Sequence, residues 1–365
     1  MLTPYIVRNE VRACLPSGRD DGKFVVYPER VWRKLGTEMI TEAGTSPADA
    51  KDIMDVLITG SLAGIDSHGV RNIPTFAKRK AEGRLKVVNE TLATGLFEPG
   101  DSWGPVYATE TMRRTIEKAR KCGIACCSVK AGDWVTNLFH YVMMAAQKDM
   151  IGMAFVRTPS AGAAWGGVKP VFGTNPMGIS FPAGKAYPIV LDFATTIVSQ
   201  GQIKSRTLKH QPIPEGWLID KEGNPVEEQL VEPEDWERFV TENTLLPFGT
   251  YKGWGIAAAV ELLAGALNLV GTGAREKQQS GFTTIAIDVG AFVPVKEFKS
   301  EVDAYAAEVK ASGVRKGFDE VLLPGEREFR TMAQRRKEGL PVDRTSWELI
   351  AAKCKELGVE IKGYA

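Results

Sequence analysis

The sequence predicts a mixed α/β (α+β) fold in which helices from both ends of the chain enclose a central α/β body. Helical periodicity dominates before about residue 96 and again after residue 295. Between these limits, short strand-like apolar runs alternate with helical patterns, and turn-forming residues are dense. The chain has 365 residues, of which 44% are hydrophobic and 25% are charged. These values are typical of a soluble globular protein of two or three domains.

Two helices are predicted near the N-terminus. The first spans residues 28–43, and Gly44 follows it. Ser46 is suited to cap the second helix, with Pro47 at the first helical position. The core-facing stripe of this second helix consists of Met54, Ile58, Leu62 and Ile65. The stripe leads directly into an Asp-Ser-His motif at residues 66–68, so we expect this motif at or near a helix end.

The remaining elements are predicted from their periodicity and from turn residues. Strands are predicted at residues 123–129, 151–156, 177–183, 188–194 and 283–293, and helices at 110–121, 137–149, 253–270, 295–311, 326–338 and 344–357. Residues 1–27 are interpreted as an irregular arm. The longest apolar run, 254–273, has nearly the length of a membrane span, but Glu261 lies at its middle. A central carboxylate favours a buried helix of a soluble protein.

Composition excludes several classes of function. Lys and Arg number 46 against 45 acids, so no net field attracts nucleic acid or a membrane surface. The basic runs AKRKAEGR and MAQRRKEG contain acids and are interpreted as solvated helix faces. The five cysteines are scattered, which indicates reduced thiols in the cytoplasm and no disulfide framework. With three histidines, no metal site is expected. Charges within the N-terminal apolar stretch argue against a signal peptide.

His68 is the first candidate for chemistry, because a histidine pKa of about 6.5 suits proton transfer near neutral pH. Asp66 and Ser67 precede it as potential hydrogen-bond partners, and Arg71 follows as a potential clamp for a carboxylate. The competing interpretation is a surface or structural histidine, and the residues alone favour neither. A hydrolase triad is disfavoured, because adjacent residues do not generally face each other and no G-x-S-x-G elbow is present.

Two further stretches carry weaker signals. Gly253, Gly255 and Ala258 match the pattern G-x-G-x-x-A, but no convincing strand precedes them and close packing explains the glycines equally well. Lys252 lies beside the start of that helix, which is a suitable place for an anionic phosphate. Asp192 ends an apolar strand, where a carboxylate can serve a site or cap the following segment.

Six stretches occur in a distinctive order between about residues 28 and 358: DSHGVRNIP, WGGVKPVFGTNP, VLDFATT, PIPEGW, YKGWGIAAAVELLAGAL and LPGEREF. Together they resemble the malate/L-lactate dehydrogenase family that lacks a Rossmann fold. That family includes ureidoglycolate dehydrogenase, diketogulonate reductase, sulfolactate dehydrogenase and the piperideine/pyrroline-2-carboxylate reductases. The resemblance implies an NAD(P)H-dependent oxidoreductase. It would transfer hydride between nicotinamide and the C2 carbon of a 2-oxo/2-hydroxy acid or a cyclic imino acid.

The resemblance also implies an architecture. A helical domain would comprise residues 28–95 together with 320–365, and a central, mainly antiparallel domain of residues 96–319 would bind NAD(H) or NADP(H). It further implies a homodimer with its active site between domains. The partner would be a small-molecule substrate, without nucleic acid or membrane.

By position, the resemblance assigns roles to individual residues. His68 matches the proton donor and acceptor, Asp192 matches the acid that holds or polarises it, and Ser67 lies beside it. Thr174 is assigned to the wall near the nicotinamide and the substrate. Cofactor contacts are assigned to Asn175, Pro188, Ile189, Val190, Leu191, Asp192, Phe193, Ala194, Tyr251, Lys252, Gly325, Glu326 and Arg327.

Two departures from the family pattern concern the substrate side. Members commonly carry an arginine four residues after the histidine, where this chain has Asn72 and, one place earlier, Arg71. One step along a helix is a rotation of about 100°, so the Arg71 guanidinium need not point to the place that the family's arginine occupies. Many members carry an Asn-His pair where this chain has Asp133 and Trp134, and His140 is interpreted as a helix-face residue. We therefore expect retained nicotinamide chemistry with a substrate other than malate or lactate. Trp134 suggests a ring-bearing or larger apolar substrate.

These departures keep one alternative open, a catalytically weakened dinucleotide-binding sensor or partner subunit. The sequence also leaves NADH against NADPH undecided. The candidate cations for a ribose 2′-phosphate are Arg157, Lys169, Lys204, Arg206 and Lys209.

Overall fold

The computed structural model describes residues 19–20, 23–81, 83–275 and 279–361. Its helices are α1 (Glu29–Glu42), α2 (Pro47–Leu62), α3 (Ile73–Phe76), α4 (Gly104–Cys122), α5 (Leu138–Ala146), α6 (Gln200–Leu208), α7 (Trp236–Glu242), α8 (Tyr251–Glu261), α9 (Val295–Ala311), α10 (Glu326–Glu338) and α11 (Arg344–Leu357). Short 3₁₀ turns span Asp66–His68, Val70–Asn72 and Val289–Ala291, and a π-helical turn, Leu262–Ala266, extends α8.

The strands are β1 (Arg19–Asp20), β2 (Phe24–Tyr27), β3 (Lys86–Glu90), β4 (Thr94–Glu98), β5 (Ile124–Gly132), β6 (Met150–Arg157), β7 (Gly162–Ala163), β8 (Pro170–Phe172), β9 (Met177–Phe181), β10 (Ile189–Phe193), β11 (Leu218–Ile219), β12 (Thr244–Leu245), β13 (Ser280–Asp288) and β14 (Leu340–Asp343). They form a seven-stranded sheet, a four-stranded sheet of β11-β12-β7-β8 and a three-stranded sheet of β1-β2-β14.

The seven-stranded sheet lies at the centre of the molecule, in the order β10-β9-β6-β13-β5-β4-β3. Every neighbouring pair is antiparallel except β4 with β5, so the expectation of a mainly antiparallel body is confirmed. Successive residues of a strand point to opposite faces. Ala154 and Val156 of β6 join the main core, which includes residues of α4 and α5. Phe155, between them, packs with Val260 of α8.

The two ends of the chain pack together, and this confirms the predicted helical part. Residues 24–27, expected in an irregular arm, form β2 and pair with β14. Trp32 of α1 is fully buried and donates from Nε1 to the Leu340 carbonyl at 3.1 Å. Its ring lies 5.5 Å from that of Tyr27 and 5.8 Å from that of Trp347 on α11. Residues 1–18 and 21–22 of the expected arm lie outside the described residues.

Several local predictions are confirmed. The predicted helices 295–311, 326–338 and 344–357 have the bounds of α9, α10 and α11. Ser46 caps α2, since its Oγ accepts the Asp49 backbone N–H at 3.1 Å. α4 begins at Gly104, earlier than predicted, because Pro105 sits in the first turn where no N–H donor is needed.

The hairpin of β3 and β4 crosses the expected domain boundary at residue 95. Residues 86–98 belong to the central sheet, although residues up to 95 were assigned to the helical domain. Every residue of β3 is exposed, so this edge strand has no alternation of apolar and polar residues to indicate a strand.

The apolar run of residues 254–273 contains most of α8 and its π-helical turn, but it is buried on one side only, because Leu262, Leu267 and Leu269 are exposed. Glu261 is 6% exposed and pairs with Arg157, which is 1% exposed; Arg157 Nε lies 3.0 Å from Glu261 Oε1. Within residues 19–20, 23–81, 83–275 and 279–361, no helix has the length and apolarity that crossing a membrane requires.

Candidate active site

His68 lies in the 3₁₀ turn of residues 66–68, just beyond the end of α2. Gly64 ends the helix in a left-handed conformation, with φ of +77°. Ser67 Oγ lies 2.8 Å from His68 Nδ1. The expectation that these adjacent side chains would not meet is wrong here. Side chains one residue apart do not face each other on an α-helix, but Ser67 and His68 lie in a 3₁₀ turn that ends at the extended Gly69. His68 Nε2 has no hydrogen-bond partner among the described residues.

Two influences lower the pKa of His68 to about 4. Desolvation in its half-buried position is the larger, and the positive charge of Arg71 is the second. No carboxylate within the described part of the chain pairs with the Arg71 guanidinium. The turn therefore presents a neutral imidazole beside an unpaired cation at neutral pH. An unpaired arginine is well suited to a substrate carboxylate.

Trp134 lies against His68, with 5.2 Å between their ring centroids. The indole also stacks nearly parallel to Phe76, at 6.2 Å and 11°. Gly104 allows this arrangement, because a Cβ there would lie 2.0 Å from the Trp134 carbonyl oxygen. The indole is 37% exposed, so the structure places an accessible aromatic surface next to the candidate proton donor.

Asn72, which was assigned to substrate binding, faces its own loop. Its Nδ2 donates to the carbonyls of Ser67 and Gly69, both at 3.0 Å. Both amide hydrogens are thereby used by the backbone, and the side chain holds the turn in shape. The amide nitrogen of Asn72 therefore braces the His68 turn.

Asp192 of β10 is bonded to the start of α5 and not to His68. Its Oδ2 accepts the backbone N–H groups of Leu138 at 3.0 Å and Phe139 at 2.8 Å. Burial raises the pKa of Asp192 to about 6, against the effect of these two hydrogen bonds, and the charge of Glu328 raises it further. The implied role of holding the histidine is thus not seen as a direct contact. The carboxylate sits where a helix N-terminus favours an anion.

Asn175, assigned to the cofactor, is fully buried and its side chain is engaged within the protein. Oδ1 accepts the Thr158 backbone N–H at 3.1 Å, and Nδ2 donates to Glu261 Oε2 at 2.7 Å. Its neighbour Thr174 is half-buried, with its hydroxyl 3.3 Å from that of Thr158. The bond to Glu261 fixes the loop at Asn175 onto α8. The hydrogen-bonding atoms of the Asn175 side chain are therefore already used within the protein.

The segment from Pro188 to Ala194 contains β10, an edge strand of the central sheet. The turn before α10 covers that edge: the Val190 N–H donates to the Pro324 carbonyl at 3.1 Å. A Cβ on Gly325 would lie 3.0 Å from the Val190 Cβ. Two of the regions assigned to the cofactor are thereby brought together by direct packing.

The other two residues of that turn are engaged in ion pairs. Glu326 is buried and pairs with Lys310 and Arg330, each at 2.5 Å. Arg327 is exposed and pairs with Glu328 at 2.6 Å. Their charges are therefore largely satisfied within the protein.

The start of α8 exposes groups that fit the phosphate-bearing part of a dinucleotide. Tyr251 is 60% exposed, and the exposed Lys252 ammonium has no acidic partner among the residues that the structure describes. A Cβ on Gly253 would lie 1.9 Å from the Phe248 carbonyl oxygen, whereas one on Gly255 would meet nothing within 4 Å. Packing thus explains the first glycine only. A free ammonium, exposed backbone and a helix N-terminus together suit an anionic ligand.

Three of the five cations considered for a 2′-phosphate already have partners. Arg157 donates to Glu261 and to the Gly273 and Gln279 carbonyls, and it is buried. Lys204 lies 4.7 Å over the ring of Trp236, and Arg206 lies 5.3 Å over the ring of Trp217. The burial of Arg157 removes it from consideration.

Arg335 is a residue of this site that the sequence did not reveal. It was placed in the basic run MAQRRKEG, interpreted as a solvated helix face, yet its side chain is 14% exposed. Its guanidinium pairs with Asp66 at 2.5 and 3.0 Å, two residues before His68. No local pattern indicates this contact, because the two residues are far apart in the chain.

A neutral imidazole beside an arginine, on a mixed α/β body, is chemically suited to proton transfer on a small organic acid. The family model described as malate/L-lactate dehydrogenase matches residues 28–351. The chain belongs to the malate/L-lactate dehydrogenase family, and it is a pyridine-nucleotide-dependent oxidoreductase, as the resemblance implied. In the described part of the chain, no cluster of His, Cys, Asp or Glu could hold a metal ion.

The relatives are similar over most of the chain. Malate/(S)-sulfolactate dehydrogenase of Methanothermus fervidus is 31% identical over 352 residues, covering 93% of this chain and 99% of the relative. Delta(1)-pyrroline-2-carboxylate reductase of Pseudomonas fluorescens is 32% identical over 241 residues, covering 64% of this chain and 69% of the relative. The structure of sulfolactate dehydrogenase from Methanocaldococcus jannaschii superposes with a TM-score of 0.80 at 30% identity, covering 93% of this chain and 99% of that one.

Proposed function

We propose that the protein reduces the C2 carbon of 2-oxo acids or cyclic imino acids, and oxidises 2-hydroxy acids in reverse, with His68 as proton donor and acceptor. The observation that carries this proposal is the geometry of the ring: Ser67 holds Nδ1, while Nε2 is free among the described residues and Arg71 stands nearby without a carboxylate. The family relatives act on both substrate types, as their names state.

In this mechanism the protein supplies binding, orientation and a proton. Arg71 binds the substrate carboxylate, which directs C2 and its oxygen or nitrogen toward His68 Nε2. Ser67 holds the ring through Nδ1. In the oxidation direction the neutral imidazole accepts the hydroxyl proton. In the reduction direction His68 must be protonated, and a bound carboxylate favours this because it neutralises Arg71, one of the two causes of the low pKa.

The pyridine nucleotide supplies or accepts the hydride when it is bound. The residues proposed to hold it are Lys252 and Tyr251 for its phosphates or ribose, the β10 edge from Pro188 to Ala194, and the turn of residues 325–327. Backbone groups of Gly325 and of β10 other than the Val190 N–H are the proposed contacts, because Glu326 and Arg327 are already paired and Val190 donates to Pro324. Titration with NADH and with NADPH distinguishes the two forms.

The substrate is proposed to carry a ring or a larger apolar group. Trp134 gives the site an exposed aromatic wall beside His68, in contact with Phe76. Trp134→Ala is expected to lower kcat/KM about tenfold for phenylpyruvate or a cyclic imino acid. The same change should leave pyruvate reduction nearly unaltered. Faster reduction of oxaloacetate or pyruvate by the unaltered enzyme than of these larger substrates would contradict this preference.

We also propose a cytoplasmic homodimer. The π-helical turn after α8 and the residues beyond it expose Leu262, Leu267 and Leu269, which are 58%, 54% and 77% exposed. Exposed leucines of this kind fit an interface between two copies better than a surface in water. The mass in solution, measured by light scattering, tests this; a monomer at micromolar concentration would contradict it.

The central test follows nicotinamide absorbance with pyruvate, oxaloacetate, phenylpyruvate and a cyclic imino acid. His68→Ala is expected to lower kcat/KM by about 100-fold or more while dinucleotide binding is retained. His210→Ala is the matched control, because that ring is exposed and, among the described residues, contacts only the Glu232 carboxylate, at 3.9 Å. Dinucleotide binding without turnover in the unaltered protein would instead support a sensor. Full activity of His68→Ala would overturn the proposed role of the ring.

A further inference from the structure

Arg335 of α10 is bonded to the His68 turn. Arg335 Nη1 lies 2.5 Å from Asp66 Oδ1 and Nη2 lies 3.0 Å from Oδ2, which is a two-pronged pair. Nη1 also donates to the carbonyl of Ser61, near the end of α2. The guanidinium therefore joins the last turn of α2 to the turn that carries the candidate proton donor.

The backbone of the same turn is also packed closely against α2. The Ser61 hydroxyl accepts the Val70 backbone N–H at 2.9 Å, and a Cβ on Gly69 would lie 2.2 Å from that hydroxyl. A Cβ on Gly60 would lie 2.7 Å from the His68 carbonyl oxygen. Since the backbone is packed this closely onto α2, a shift of Asp66 is transmitted to His68.

α10 also touches the strand proposed to bind the dinucleotide. The helix begins just after Gly325, which packs on Val190 of β10. From Glu326 to Arg335 the helix rises by roughly 14 Å at about 1.5 Å per residue. One rigid helix thus contacts the cofactor strand at its first turn and the His68 turn near its end.

We propose that Arg335 is a positioning residue that sets the place of the His68 ring relative to the dinucleotide-binding edge of β10. The proposal rests on the proposed function of His68. Arg335 does not touch substrate in this role. It acts through Asp66, and the separation it maintains is the one across which proton and hydride must reach the same substrate.

The pair has an electrostatic consequence that a purely structural contact would lack. Arg71 is the charged group that lowers the pKa of His68, while Asp66 and Arg335 form their ion pair two residues before the ring. With Arg335 present, the negative charge of Asp66 is neutralised, and burial and Arg71 determine the low pKa of His68. Without Arg335, an unpaired Asp66 carboxylate favours the protonated ring, so its pKa should rise.

The experiment compares Arg335→Gln, Arg335→Lys, Asp66→Asn and the double variant Arg335→Gln/Asp66→Asn. The panel acid that the unaltered enzyme turns over fastest serves as substrate. Arg335→Gln is expected to lower kcat on the order of 100-fold, as a small misplacement of reacting groups does, with dinucleotide affinity retained. Arg335→Lys keeps the positive charge but cannot form the two-pronged pair with Asp66, so the decrease in kcat should be intermediate.

A second readout needs no substrate. The chain has three histidines, so the NMR titration of His68 is assigned by comparison with His68→Ala. Arg335→Gln should raise the pKa of the His68 ring by about half a unit or more, and the double variant should reverse the rise. If Arg335→Gln does not fold, the titration of Asp66→Asn provides the test, because the uncompensated Arg335 cation should then lower the pKa of the ring, and an unchanged titration would overturn the inference.

Arg113→Gln is the matched control. Arg113 of α4 makes a two-pronged pair with Asp52 of α2 at 2.9 and 2.6 Å, away from the His68 turn. It should leave kcat and the His68 titration unchanged. An Arg335→Gln variant with unaltered kcat and titration would overturn the inference, as would losses equal to those of Arg113→Gln. Full activity of His68→Ala would instead refute the proposed function itself.

Discussion

The buried network around Glu261 yields a prediction whose magnitude follows from its contacts. Oε1 accepts Arg157 Nε at 3.0 Å and the Gly273 N–H at 2.9 Å, and Oε2 accepts Asn175 Nδ2 at 2.7 Å. Arg157 and Glu261 are both buried. Glu261→Gln preserves the shape, removes the charge and replaces one acceptor oxygen by a donor. Whichever way the new amide points, at least one buried donor then faces another donor.

Asn175 cannot relieve this conflict by turning over, because its Oδ1 already accepts the backbone N–H groups of Thr158 and Gly173. Leaving one member of a buried ion pair uncompensated costs about 3–5 kcal/mol of the free energy of unfolding. We expect a loss in that range for Glu261→Gln, together with weaker dinucleotide binding, since the network attaches the loop at Asn175 to α8.

The assay is urea unfolding followed by fluorescence, at fixed protein concentration because a dimer's stability depends on it. Glu320→Gln is the matched control: Glu320 pairs with Arg330 at 2.5 and 2.8 Å but is exposed. Its loss should be much smaller than that of Glu261→Gln, because solvent screens an exposed pair. A loss below about 1 kcal/mol in Glu261→Gln would refute the reasoning, because the network would then contribute no more than a surface pair.

Two further predictions concern stability without ligand. Gly253→Ala should be destabilising because its Cβ would lie 1.9 Å from the Phe248 carbonyl oxygen, whereas Gly255→Ala, with open space around it, should gain up to about 1 kcal/mol from helix propensity. Melting temperatures compare the two, and equal effects would contradict the packing argument. Burial lowers the pKa of His140 to about 4. Between pH 6.5 and pH 4 the unfolded chain therefore binds a proton at this residue, whereas the folded state does not. Stability is therefore complete above pH 6.5 and falls toward pH 4, by up to about 3 kcal/mol from this residue. His140→Gln should flatten that fall in denaturant titrations at several pH values, and an unchanged slope would contradict it.

Local sequence signals determined the elements of the fold. The bounds of α9, α10 and α11 and the cap of α2 at Ser46 follow from periodicity and from capping residues, which act within a few positions along the chain. The exposed strand β3 gave no such signal, since a strand without a buried face has no alternation. The family resemblance, carried by several motifs in order, supplied the mainly antiparallel body that composition alone does not indicate.

The sequence also singled out the chemistry-bearing types, but the tertiary structure decided their partners. Asp192 and Asn175 had the right types for a site, yet their atoms are bonded to α5 and α8. Arg335 had the sequence context of a solvated residue, and only folding brought it to Asp66. The physical reason is that hydrogen bonds and ion pairs depend on distances of about 3 Å between atoms. Segments far apart in the chain reach such distances only after the core has packed.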